Sequence, residues 1–167
     1  QTMGLKSIDK GLTLELDGPA GVNSIVNGEA GVTHATEGVL ASSWNNDLAY
    51  KMGESLARSL EAYGIDGIYA PAANIHRTPF SGRNFEYYSE DAYLSAKMVA
   101  AEVSAIRDNG KYCMVKHFAL NDQETNRNGI LTWANEQAIR EIYLKPFEYA
   151  VKEGNATGMM SAFNRLG

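Results

Sequence analysis

Residues 113–127 read CMVKHFALNDQETNR. The run opens as an apolar strand and then sets Lys116, His117, Asn121, Asp122, Gln123, Glu124, Asn126 and Arg127 within about a dozen positions. A strand that ends in a long loop of hydrogen-bonding side chains of both signs raises the question of what the loop holds. It also gives a rule to try on the rest of the chain, namely whether long polar loops follow strands or precede them.

Three further segments have strand character: residues 12–16 (LTLEL), 64–71 (GIDGIYAP) and 157–163 (TGMMSAF), beside residues 112–118 (YCMVKHF). Helical periodicity lies between them. Leu48, Met52, Leu56 and Leu60 form a stripe from about Asn46 to Tyr63, with Gly64 as the stop. Ser89 is the expected N-cap of a second helix carrying Leu94, Met98, Val99, Val103 and Ile106 and ending at Gly110. A third runs from about Asn135 to Glu153, with Pro146 expected to kink or restart it.

Alternating strands and helices with short apolar strands imply right-handed βαβ units on a parallel sheet, in either a barrel or an open doubly wound form. The loops choose between them. They are long after strands (DGPAGVNSIVNGEAG, AANIHRTPFSGRNFEYYSED, ALNDQETNRNGILTWAN) and short before them (YG, DNGK, EGNA). Loops elaborated at strand C-terminal ends are where (β/α)8 barrels build their sites. The expected fold is therefore α/β, a partial (β/α)8 TIM-type barrel of about four β/α units over residues 1–167.

Composition narrows the function. The 167 residues are 44% hydrophobic and carry a net charge of −5 without a basic block, which argues for a packed domain and against a nucleic-acid partner. No run reaches membrane-spanning length, and the N-terminus lacks the basic start and apolar centre of a signal peptide, leaving cytoplasmic and secreted settings both open. Cys113, the lone cysteine, reads as a buried inert thiol. His34, His76 and His117 lie too far apart for a short ligand motif, and no strand is followed by GxGxxG or GxxxxGK[ST], so neither a metal nor a cofactor is expected.

The polar residues after the strands are Asp17; His76, Arg77, Arg83 and Glu86; and Lys116, His117, Asp122, Glu124 and Arg127, with Tyr87, Tyr88, Trp133 and Phe163 as flat surfaces nearby. On a barrel they share one rim. Such a mixture suits a sugar, whose hydroxyls donate and accept while its C–H face takes an aromatic ring. Singly, each has a plainer role: Lys116 a surface lysine, His117 a core histidine bonded to backbone, Arg127 half of a loop ion pair.

LDGPAGV, FSGRNFEYYSED, VKHFALNDQETNR and MMSAFN, in this order, resemble the successive motifs of glycoside hydrolase family 3, in its β-glucosidase and β-xylosidase branch. The resemblance runs from Leu16 to Gly167. It implies a retaining exo-acting β-glycosidase in which Asp17, Arg83, Lys116, His117 and Arg127 hold the terminal sugar of a β-linked oligosaccharide or an aryl or alkyl glycoside, and Met160 lines the pocket. Where the family often has tyrosine, this chain has Phe163.

Retaining hydrolysis needs two carboxyl groups about 5 Å apart. Spacing alone offers Asp122 with Glu124, or Asp17 with Glu86. The resemblance argues against both, since the family nucleophile is the aspartate of a Ser-Asp-Trp motif at the next strand and the acid/base comes from a following α/β sandwich domain. The expectation is thus a piece of a barrel that carries no catalytic carboxyl of its own and is completed by self-association or by other segments of the same polypeptide. The alternative is a non-catalytic carbohydrate-binding or structural protein on the same fold.

Overall fold

A computed structural model describes residues 2–23 and 31–167; the remainder of the loop expected after the first strand lies outside them. Four strands, β1 (Glu15–Asp17), β2 (Gly67–Tyr69), β3 (Tyr112–Phe118) and β5 (Gly158–Ser161), form one sheet in the order β1-β2-β3-β5, every pair parallel. A doubly wound sheet reverses its strand order at a switch point. Here the order follows the chain, and right-handed crossovers in a single sense put all the helices on one face, the winding of a barrel. The strand β4 (Leu131–Thr132) lies in the loop after β3 and pairs with β6 (Arg165–Leu166) beyond β5.

The helices form from local signals and are sorted by burial. α2 (Asn46–Ala62) is capped by Asn45, whose side chain accepts from the backbone N–H of Asp47 at 2.9 Å, and it stops at Gly64 with φ +65°. It buries Ala49, Met52, Gly53, Leu56, Ala57 and Leu60. Leu48, expected on that stripe, is 43% exposed; the small Ala49 and Gly53 occupy the face because α2 packs closely on the next helix.

That helix, α3 (Ala92–Asp108), buries Met98, Val99, Val103 and Ile106 as expected. Its cap is Asp91 rather than Ser89: the Asp91 carboxylate accepts from Leu94 N at 2.6 Å, while Ser89 Oγ accepts from Asp91 N one step earlier. The third helix is broken, as Pro146 demands. A short α4 (Glu136–Ala138) runs into a π-helical turn (Ile139–Tyr143), and α5 (Lys145–Lys152) restarts with proline in its first turn.

One small helix, α1 (Glu37–Ala41), is absent from the sequence reading. β1 also differs: residues 12–14 stay outside the ladder, with Leu12 and Leu14 exposed, and the Leu14 backbone N–H donates to the Asp66 side chain at 2.8 Å. The core between sheet and helices is built from Leu56, Leu60, Ile68, Met98, Val99, Val103, Ile106, Val115 and Phe147, all at most 1% exposed. Cys113 is buried there, and burial pushes its thiol pKa up, as an inert thiol requires.

Candidate active-site cleft

The C-terminal ends of β1, β2 and β3 carry the polar loops. After β1 the chain turns through Gly18, φ +133°, where a Cβ would collide with the carbonyl oxygen of Gly21. Only glycine fits that approach. The turn fixes Asp17, whose carbonyl accepts from Asn23 N at 2.9 Å. Beyond β2, the carbonyl of Pro71 accepts from Lys116 N at 3.0 Å, and Asn74 clamps the His117 main chain from both sides, Nδ2 to O at 2.9 Å and N to Oδ1 at 2.8 Å. Asn74 stands out in the sequence only as a polar residue within a run of small apolar ones.

The side chains form a chain of alternating charge. Lys116 Nζ lies 2.9 Å from Asp17 Oδ1 and 3.6 Å from Glu86 Oε2. Glu86 Oε1 accepts from Arg83 Nε. Arg83 Nη1 is 4.0 Å from Glu124 Oε1, and Arg127 Nη1 is 2.9 Å from Glu124 Oε2. Beside it, the Tyr87 hydroxyl accepts from Asn121 Nδ2 at 2.8 Å and sits 3.4 Å from His117 Nδ1.

Asp17, Arg83 and Lys116 line one cleft of about 380 Å³, with Glu86, Phe85 and the Gly18–Val22 turn. His117, Arg127 and Met160 lie outside that lining. His117 is buried against Tyr87, Arg127 reaches Arg83 only through Glu124 and stacks 4.7 Å above the Phe163 ring, and Met160 is half-buried on β5.

The aromatic expectation needs correction. Tyr87 and Tyr88 are at most 2% exposed and belong to the core, so neither offers a face to a ligand; the aromatic ring in the cleft wall is Phe85, which is 57% exposed. His76 and Arg77 also leave the rim: His76 Nε2 bonds Asn84 O at 2.9 Å, and the Arg77 guanidinium stacks on Tyr143.

Electrostatics follow from burial. His117 is pushed down to about 3 by burial, then by Arg83, Lys116 and Arg127, so its imidazole is neutral. Asp122 is pushed up to about 6 by burial, against the pull of Arg77. Arg83 is held above its ordinary value because the bond to Glu86 and that carboxylate's charge outweigh the opposing effect of burial. Two acids invisible in the sequence pattern, Glu37 and Glu102, are fully buried. Glu102 accepts from the Tyr88 hydroxyl at 2.6 Å, and among the described residues neither oxygen of Glu37 has a side-chain partner. Burial, then the neighbouring Glu102, raises the Glu37 pKa; burial raises that of Glu102.

Comparison with known proteins bears on this site. Residues 7–166 match the family model for the glycosyl hydrolase family 3 N terminal domain. Beta-glucosidase A of Butyrivibrio fibrisolvens is 46% identical over 140 residues, covering 82% of this chain and 17% of that protein. An exo-alpha-(1->6)-L-arabinopyranosidase of Bifidobacterium longum is 36% identical over 90% of this chain and 21% of its own length. Beta-glucosidase 3B of Thermotoga neapolitana, solved with alpha-D-glucose, superposes with a TM-score of 0.90 at 40% identity, over 99% of this chain and 24% of that one. The chain thus spans less than a quarter of each of these proteins. With the order of its strands, the cleft at their C-terminal ends and these matches, the chain belongs to glycosyl hydrolase family 3.

Proposed function

We propose that residues 1–167 form the glycone-binding part of a retaining, exo-acting β-glucosidase-like hydrolase, which removes terminal non-reducing β-D-glycosyl residues by double displacement. The observation that carries this reading is the cleft where Asp17 and Lys116, on strand ends two places apart in the sheet, meet 2.9 Å apart beside Arg83. A half-exposed carboxylate next to a buried ammonium offers an acceptor and a donor to adjacent hydroxyls of one sugar. His117 and Arg127 support that wall, and Met160 belongs to the side of the pocket nearer β5.

The acids near the cleft are held as anchors. Asp17 is on Lys116, Glu86 on Arg83 and Lys116, and Glu124 on Arg127 and Asn121. Following the family resemblance, we assign the nucleophile and the acid/base to carboxyl groups outside residues 1–167, on the remaining barrel strands and a following α/β sandwich domain. In double displacement the nucleophile attacks the anomeric carbon as the acid protonates the leaving oxygen, and water then releases the sugar with retained configuration.

The test is to express a polypeptide of the relatives' length that includes this chain, and to follow nitrophenyl β-D-glucoside hydrolysis by NMR. The β-anomer of glucose should appear first. An α-anomer first, or no turnover of any nitrophenyl glycoside, would overturn the reading. Residues 1–167 alone should be slower by at least about 10⁴-fold, the scale of losing a covalent nucleophile.

A further inference from the structure

The cleft donors Lys116 and Arg83 are long, rotamer-rich side chains, and a sugar gains affinity from them only to the extent that they are already held in place. We propose that Glu86 is the positioning residue that holds both, an inference that rests on the glycone-binding reading above.

Glu86 is 2% exposed and ends a tight 3-10 turn (Asn84–Glu86) that begins right after Arg83. Its two oxygens are divided between the two cations: Oε1 takes Arg83 Nε and Oε2 lies 3.6 Å from Lys116 Nζ. The turn itself is pinned from outside the site, by Asn84 Nδ2 on Thr78 O at 2.6 Å and by His76 Nε2 on Asn84 O. Asp17, the other partner of Lys116, is 45% exposed at its side chain, against 3% for Glu86.

Glu86 is thus the buried, rigid partner and Asp17 the wet one. Occupying Arg83 Nε leaves the guanidinium's terminal N–H groups for other acceptors. Lys116 donates one N–H to Asp17 and lies at ion-pair distance from Glu86, so its ammonium keeps donors for a ligand. One carboxylate therefore fixes two cations in a shared geometry before any sugar arrives, and removing its charge releases both together.

The experiment is Glu86→Gln in the family-length polypeptide, which keeps the volume and removes the charge. kcat/KM for nitrophenyl β-D-glucoside should fall about 10- to 100-fold, carried mainly by KM, with the shape of the pH–rate profile unchanged. In a Lys116→Ala background the same substitution should cost at least about fivefold less, because one of the two cations it positions is gone.

Glu86→Asp guards against loss of fold. It keeps the charge but is one methylene shorter, so it cannot span both cations, and it should retain the wild-type melting temperature within a few degrees while losing at least about fivefold in kcat/KM. Kinetics within threefold of wild type for Glu86→Asp, full additivity with Lys116→Ala, or loss of one limb of the pH profile would each overturn the positioning role. If Asp17→Ala and Lys116→Ala are also without effect, the reading of the cleft itself is what fails; if they are damaging while the Glu86 variants are not, only the inference about Glu86 fails.

Discussion

Lys116 Nζ and Asp17 Oδ1 meet at 2.9 Å although 99 residues separate them in the chain. The contact joins β3 to β1 across β2, and it faces the cleft. Asp17→Ala in a family-length polypeptide should lower kcat/KM by about 10- to 150-fold, the worth of one charge-assisted hydrogen bond of roughly 1.5–3 kcal/mol. Values within threefold of wild type would make Asp17 a turn residue only.

Arg127 tests the far end of the same wall. Its guanidinium pairs with Glu124 and covers the Phe163 ring, two contacts that a planar fork makes and an ammonium does not match. Arg127→Lys should therefore behave more like Arg127→Ala than like wild type in kcat/KM. Wild-type kinetics in the lysine variant would show that charge alone suffices there.

His117 should not titrate across the range of ordinary assays. Its folded pKa is depressed to about 3 from 6.5, so between those values the unfolded chain binds a proton that the folded chain refuses. The associated stability is fully present above pH 6.5 and is lost as pH falls toward 3. NMR of the His117 ring should give no inflection between about pH 4 and 8. An inflection near 6.5 would mean the ring is solvated.

Glu37 has the opposite sign. Its folded pKa is raised above the ordinary 4.5, so stability is fully present below that value and is lost as pH rises beyond it. Glu37→Gln cannot ionise, and its advantage over wild type should grow from pH 5 to pH 8 by at least about 1.4 kcal/mol, the worth of one pKa unit. Urea midpoints at the two pH values decide it, and a pH-independent difference counts against a buried protonated carboxyl.

Gly53 sets the approach of α2 to α3. A Cβ there would meet the Glu102 carbonyl oxygen and come within 2.8 Å of Ala105 Cβ. Helix propensity favours alanine by about 1 kcal/mol, whereas overpacking costs about 1–3 kcal/mol. The clash falls on backbone, which cannot rotate away, so Gly53→Ala should lower the melting temperature. A rise would show that the helices slide apart freely.

β3 was legible from end to end, Tyr112–Phe118, because a strand paired on both sides reads as one apolar run. β1 is shorter than its apolar run, since it begins only where its partner β2 begins, Glu15 opposite Gly67, and Leu12 and Leu14 stay exposed ahead of it. α1, five residues long, gives too little periodicity to see. In the site, Asp17 and Lys116 could be found because strand ends on one rim converge whatever the intervening sequence, whereas Arg83 lies far along the loop after β2 and only the family resemblance sets it apart from His76 and Arg77, which leave the rim. The buried place of Glu86, the clamp of Asn74 and the burial of Glu37 and Glu102 depend on neighbours from distant segments, and periodicity carries no record of those. Tyr87 and Tyr88 misled for the same reason, as aromatics beside a loop read alike whether they face a ligand or the core.

The alternation Asp17, Lys116, Glu86, Arg83, Glu124, Arg127 bears on ionic strength. Three acids and three bases sum to zero, so this wall gathers no counterion cloud that an arriving sugar would have to disperse. Its successive ion pairs are spaced at 4.0 Å or less, well inside the Debye length of about 8 Å at physiological salt, and dissolved ions screen such short contacts weakly. Recognition of an uncharged sugar by these residues should then be nearly as strong at physiological salt as in dilute buffer.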